Sequence, residues 1–173
     1  PPAVQEKLLA LCEKHLSPNG VAYISYNTYP GGHFRQIWRD LMRFHTRGID
    51  DPSEKVEQAQ AAMNLLVNSV AQQDIEHALA AEDWNRFSTA GPSVLFHDDL
   101  ADFFQPFYFE DFVARAGAYG MQYLAEATIP DMEPRGLTQQ ALDALAEARK
   151  QDTIVYEQYL DFLRFRRFRQ TLL

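Results

Sequence analysis

Cysteine is nearly absent: the 173 residues hold one, Cys12. A single thiol excludes an internal disulfide and a CxxC metal site. Its place on the apolar face of a predicted helix fits inert burial. Glycine is sparse, eight in all, and no two form G-x-G. P-loop and G-x-S-x-G motifs are missing too, so neither a phosphate cradle nor a nucleophile elbow is on offer. No apolar run approaches the roughly 20 residues of a membrane helix, and no basic-then-apolar leader precedes the first helix. The chain reads as cytoplasmic. Positive charge is in deficit, with 16 basic against 24 acidic residues and a net charge of −8. That excess argues against nucleic-acid phosphate as the partner of the whole surface.

Apolar residues make up 46% of the chain and aromatics 13%. The first figure allows a real core, and the second leaves aromatics for a groove or an interface. The length suits one domain, or one with an appendage. The chain does not begin with Met, so a piece of a longer protein is expected.

The pattern along the chain is mostly helical. Residues 3–16 place Val4, Leu8, Leu11 and Cys12 on one face. Pro18-Asn19-Gly20 then turns the chain into residues 21–26, the best strand, apolar or aromatic on both faces and so expected to be covered on both. It exits through a polar aromatic loop, Asn27 to Gly32. Residues 33–46 follow the helical spacing with Phe34, Ile37, Trp38, Leu41, Met42 and His45. Asp51-Pro52-Ser53-Glu54 is a helix start with a cap and a capping box, and Val56, Ala59, Met63, Leu66, Val67 and Val70 form a stripe through residue 71. A weaker helix follows from Asp74 to about Phe87, with Ile75, Ala78, Leu79 and Phe87 inward. Residues 107–119 read as a helix stopped by Gly120. Residues 121–127 are a moderate strand, 130–136 a linker, and 138–150 a helix. Asp152 caps a last helix expected to reach about Gln170, with phenylalanines and Arg164, Arg166, Arg167 and Arg169 along it.

Several strings resemble one family. The turn and strand LSPNGVAYISY resembles the entry to the fifth strand of class I S-adenosylmethionine-dependent methyltransferases. The longer GVAYISYNTYPGGHFRQIWRDLMRFH, with LFHDDL, PFYFEDFVARAGAYGMQYLAEA and the closing EQYLDFLRFRRFRQTLL, resembles the predicted methyltransferase regulatory domain of bacterial proteins. The resemblance implies an α+β, predominantly α-helical chain. It would be a fragment of a Rossmann-like methyltransferase fold with one to three short strands. Residues 1–130 would be the C-terminal part of that fold, with a helical insertion at about 33–96, and residues 131–173 a helical extension. The glycine-rich loop that such enzymes place after their first strand is missing. This chain alone is therefore expected to bind no S-adenosylmethionine and to transfer no methyl group. The complete protein would hold that cofactor through an upstream catalytic half.

On this resemblance Tyr26, Asn27, Tyr29 and His33 become candidates for a methyl-acceptor site. Asn27 can bond an amine or hydroxyl, the tyrosines can pack on a cation, and His33 can take a proton. The same residues can equally build a turn and cap the next helix. Arg35, Arg39, Arg43 and Arg47 recur every four residues. They form either a solvated face paired with local acids or a rail for an acidic partner. Phe165 and Arg166 are candidates for partner binding on the last helix. His97, Asp98, Asp99 and Asp102 have metal-ligand atoms without metal-ligand spacing. Two other classes stay open: a helical module that dimerises through strand edges or aromatic faces, and a nucleic-acid binder using the Arg-Phe segment. The strands at 21–26 and 121–127 need not be neighbours, so a dimer or a rearranged small sheet is expected.

Overall fold

The computed structural model describes residues 2–72, 74–89 and 91–173. The described chain divides into two compact units. One runs up to Gly32 and resumes at Gln105–Leu173; the other is His33–Phe104.

The first unit is built on a three-stranded antiparallel sheet of order β1-β3-β2, with β1 at Tyr23–Asn27, β2 at Ala125–Glu126 and β3 at Phe168–Leu172. The strands at 23–27 and 125–126 are thus not neighbours: the closing segment inserts between them. The last helix, α8 (Thr153–Arg164), stops six residues short of the expected Gln170. Its C-cap is Phe165 at φ 48°, a left-handed conformation that glycine or asparagine usually supplies. No glycine marks the stop, so the periodicity of the apolar residues ran the predicted helix through a strand.

Alternation along β1 and β3 sorts their side chains onto two faces. Ala22, Tyr26, Arg169, Thr171 and Leu173 are buried, while Val21, Tyr23 and Phe168 are exposed. β1 is therefore covered on one face rather than two. On the covered face, Leu9 of α1 (Pro2–His15) packs with Tyr26, Phe112, Ala116 and Leu173, and with Cys12 and Leu16 beside them. Val4, Leu8 and Leu11, expected inward, point out instead. α6 (Phe109–Gly117) supplies Phe112 and Ala116, and Gly120 at φ 70° ends that segment. α7 (Gln139–Gln151) and α8 pack Leu145, Tyr156 and Leu160 together.

The second unit is helical: α2 (Gly32–His45), α3 (Pro52–Val67), α4 (Ile75–Ser88) and the short α5 (Pro92–Val94), which runs into a π-helical turn at Leu95–Asp99. The turn closes with Leu100 N–H donating to the Leu95 carbonyl at 3.0 Å, five residues apart. Asp51 caps α3 as its sequence requires, accepting the Glu54 N–H at 2.8 Å. α3 ends at Val67, short of residue 71. Trp38, Met42, Val56, Ala59, Met63, Ala80, Trp84 and Leu95 form the core. Two indoles inside it are anchored: Trp38 Nε1 donates to Asp83 at 2.7 Å, and Trp84 Nε1 to Asn64 at 2.9 Å. Ile37, His45 and Ile75, expected inward, are exposed. The side chain of Phe87 lies outside the described residues.

Candidate functional site

The loop that leaves β1 is held from two sides. Thr28 N–H donates to the Arg167 carbonyl at 2.9 Å, and the Thr28 hydroxyl donates to the Phe107 carbonyl at 2.5 Å. Phe107 N–H donates to the Asn27 carbonyl at 3.1 Å, and Tyr29 N–H returns to the Phe107 carbonyl at 2.9 Å. Residues 105–108 are extended and lie parallel to the end of β1, so Phe107 and Tyr108, expected to open a helix, precede it instead. Gly31 donates to the Arg166 carbonyl at 2.9 Å. A Cβ at Gly31 would run into the Phe165 carbonyl oxygen and stand 2.7 Å from that of Arg166. Glycine is required here because two backbone segments cross.

These contacts place the candidate residues differently. Tyr26 is buried: its ring stacks on Phe112 with centroids 3.9 Å apart, and its hydroxyl shares a hydrogen bond with Thr171 at 3.1 Å. Burial pushes its phenol well above the ordinary value, against the smaller pull of the Thr171 bond. Tyr26 is a core residue, and no incoming group reaches it. Asn27 is half-buried in the sheet edge. Tyr29 is half-buried beside Tyr108, centroids 5.1 Å apart, and Tyr108 in turn lies 5.7 Å from Phe162. His33 is exposed and belongs to the other unit.

Tyr29, Pro106, Phe107, Tyr108, Asp111 and Arg115 line an open groove of about 540 Å³. Arg115 lies over the Phe107 ring at 5.0 Å. Such a surface can bind and orient an aromatic, apolar or cationic group, and it has no nucleophile–base pair with which to act on one. Tyr29 was a candidate and its neighbours Phe107 and Tyr108 were not, because a helix assigned across 107–119 hides their extended backbone. Pro106 was the available signal. Ligands favour the carboxyl ends of strands in parallel sheets, but β1 pairs antiparallel with β3. The converging aromatics, rather than that rule, single out this end of β1.

The arginines expected to meet partners are largely engaged inside their own units. Arg35 Nε donates to Asp99 at 2.7 Å. Arg39 is fully buried; it donates to the carbonyls of Asp98 and, at 2.7 Å, Ala101, and lies 4.5 Å over the Phe104 ring. Arg43 meets Asp102 at 2.9 Å on the surface. As a rail for an outside partner the stripe is interrupted at Arg39, which burial makes inaccessible. Asp99 and Asp102 serve these arginines, and among the described residues no three His, Cys, Asp or Glu side chains converge to hold a metal. Arg166 is largely buried against Asp161 at 2.6 Å, whereas Phe165 is exposed.

Arg169, read as part of a surface helix, is the hub of a buried ionic cluster. Nε and Nη2 take the two oxygens of Asp161 at 2.8 Å each, Nη1 takes Glu126 at 2.6 Å, and Nη2 takes Glu157 at 3.0 Å. The guanidinium also stacks 3.8 Å from the Phe109 ring. Burial alone would lower its pKa, but the bonds and charge of Asp161, with Glu126 and Glu157, outweigh burial and raise it. Burial pushes the Glu157 and Asp161 carboxyls up, against the opposing pull of Arg169. The cluster joins β2, α8 and β3, and it removes Arg169 from any nucleic-acid surface.

Residues 91–173 match the family model described as predicted methyltransferase regulatory domain. Residues 91–173 carry that regulatory domain. The uncharacterized protein RP789 of Rickettsia prowazekii (strain Madrid E) is 30% identical over 174 aligned positions, covering 100% of this chain and 31% of the relative. A second protein of that organism, RP028, is 31% identical over 114 positions, 65% of this chain and 46% of the relative. The solved structure of PKMT2 from Rickettsia typhi matches with TM-score 0.84 and 31% identity over 98% of this chain and 32% of that one. PKMT2 in complex with AdoHcy matches with TM-score 0.85 and 30% identity over 99% and 33%. The chain thus spans between about a third and a half of the relatives it matches. The family-model match takes in the Gln105–Tyr108 wall of the groove and all of β2 and β3, while β1 and the loop after it precede the match.

Proposed function

We propose that this regulatory domain is the non-catalytic C-terminal part of a cytoplasmic, bacterial, S-adenosylmethionine-dependent methyltransferase, and that it shapes access of the methyl acceptor to a catalytic half elsewhere in the longer protein. The observation that carries the reading is the match to PKMT2 bound to AdoHcy, which spans 99% of this chain but 33% of that one. Two thirds of the related enzyme lie outside the match, which leaves ample chain for a separate cofactor site. Features of this chain agree. It has no G-x-G, its described sheet is antiparallel, and Gly31 is packed against backbone rather than open to a ligand. On this reading the cofactor is held outside this chain, and no chemical step is assigned to its residues.

On this reading the groove beside Tyr29 meets the acceptor, with Tyr29 and Tyr108 as packing surfaces and Asp111 at its rim. The test is methyl transfer by the longer protein carrying Tyr29→Ala. The acceptor KM should rise about tenfold, the scale of a lost aromatic contact of about 1–1.5 kcal/mol, with AdoHcy affinity unchanged. An unchanged KM would remove the groove from the acceptor path. A second reading, a dimerisation module, draws on the exposed Tyr159, Phe162 and Phe165 of the α8 end. A mass that does not change with concentration would end it.

A further inference from the structure

The helical unit, His33–Phe104, carries six Lys or Arg against twelve Asp or Glu. Three of the six are engaged elsewhere: Arg35 with Asp99, Arg39 with backbone carbonyls, and Arg86 with Glu82 at 2.8 Å. The other three meet at one place. α2 ends where the Thr46 hydroxyl donates back to the Met42 carbonyl at 2.8 Å, and Gly48 at φ 80° turns the chain out of the helix. Asp51 then caps α3 three residues later. The short turn brings Lys55, early in α3, beside Arg43 and Arg47 at the end of α2.

Arg43, Thr46, Arg47, Lys55, Leu100 and Asp102 line a pocket of about 340 Å³. Three cations and one carboxylate leave this lining at a net charge of +2, on a unit whose own balance is −6. Lys55 is half-buried and has neither an ion pair nor a side-chain hydrogen bond among the described residues. The Arg47 guanidinium lies 4.0 Å over the Phe44 ring and has no carboxylate partner among them. Arg43 does have one, Asp102 at 2.9 Å, and that carboxylate is fully exposed. The Asp51 carboxylate is taken by the α3 cap. Like charges gathered without counter-charge repel one another. An anion entering the pocket is therefore favoured by three cations and opposed by one carboxylate.

We propose that this pocket binds the dianionic phosphate group of a small phosphomonoester. The charge fits, because a phosphomonoester carries about −1.5 to −2 at neutral pH. Two guanidiniums and one ammonium offer the fork and the point charge that phosphate accepts. The volume fits as well. It lies at the small end of ligand pockets, which run from about 300 to 1,000 Å³, and Leu100 and the Phe44 ring are there for the esterified group. A nucleic-acid backbone presents one charge per phosphate and takes a longer basic track, which the buried Arg39 interrupts. The pocket belongs to the helical unit alone and stands without the methyltransferase reading.

The test is calorimetric titration of the longer protein with phenyl phosphate. Saturable one-to-one binding is expected, at least about fivefold tighter than that of phenyl sulfate, which has the same shape and a single charge. Inorganic phosphate should bind more weakly than the ester; equal affinity would give the pocket to free phosphate and overturn the ester. Lys55→Met and Arg47→Met should each weaken phenyl phosphate at least about fivefold, the scale of one lost charge-assisted bond. Asp102→Asn removes the opposing carboxylate and should tighten binding about threefold, a gain that a misfolded variant does not give. Arg86→Met, outside the pocket, should change nothing. No saturable binding, or binding that Lys55→Met and Arg47→Met leave unchanged, would overturn the proposal. Equal weakening by Arg86→Met would do the same, by reducing the effect to general charge. Tighter binding of single-stranded RNA than of phenyl phosphate, lost in the Lys55 and Arg47 variants, would overturn it in favour of nucleic acid.

Discussion

Each unit buries an arginine, and the two arginines are satisfied in opposite ways. Arg169 in the sheet unit is surrounded by three carboxylates, from β2 and from successive turns of α8. Arg39 in the helical unit donates chiefly to neutral carbonyls, those of Asp98 and Ala101. These carbonyls lie at and just past the end of the π-helical turn, where a helix runs out of internal donors. Arg39 thus works as a C-terminal cap delivered from another helix, favoured also by the negative end of that short helical segment. Arg169 is an ionic cross-link between elements far apart in sequence. The comparison teaches that an arginine's spacing along a helix or strand does not reveal whether it meets solvent, a carbonyl or a carboxylate.

The contrast can be broken by substitution, and Arg169→Met should do most damage. It leaves Glu126, Glu157 and Asp161 buried with Arg166 alone, and breaking a buried ion pair from one side costs about 3–5 kcal/mol. Urea unfolding should show that loss; a change below about 1 kcal/mol would mean the carboxylates find water. Arg39→Met should cost less, about 1–3 kcal/mol, because it strands buried neutral acceptors rather than charges. If it matches Arg169→Met in the same unfolding assay, the distinction between ionic and carbonyl partners fails.

Tyr26→Phe sharpens the comparison within the sheet unit. It removes the Thr171 hydrogen bond and should cost about 1 kcal/mol at neutral pH. Its alkaline behaviour is more telling. The folded Tyr26 holds its proton above the ordinary tyrosine value of 10, so the unfolded chain ionises first. Stability is complete below about pH 10 and falls as pH rises beyond it. Phenylalanine should flatten part of that fall in melts taken between neutral and alkaline pH. Tyr119, Tyr123 and Tyr156 are raised as well, so some slope should remain. Arg43→Ala should matter least. Its partner Asp102 is fully exposed, so solvent screens the pair and the urea midpoint should hardly move.

What the sequence made legible follows from where its signals are local. The strand after Pro18-Asn19-Gly20, the cap at Asp51 and the helical stretch through the second unit are each written in neighbouring residues. The end of α8 is not. Phe165 takes the left-handed turn without glycine, held where its carbonyl crosses Gly31, so β3 reads as more helix. The Arg169 cluster depends on that strand and was invisible for the same reason. Glu157 and Asp161, four apart beside the apolar Tyr156 and Leu160, were the trace it left. In the loop after β1, Tyr29 was legible as a surface aromatic, while Tyr26 was misplaced. Its alternation with the exposed Tyr23 and Ser25 becomes decisive only once one face of the sheet is known to be covered.

The central claim is that this chain holds no cofactor site of its own. Calorimetric titration of the chain with AdoHcy, and then with S-adenosylmethionine, tests it most directly. The account predicts no saturable heat from the chain and one-to-one binding by the longer protein. Saturable one-to-one binding by the chain itself would contradict it.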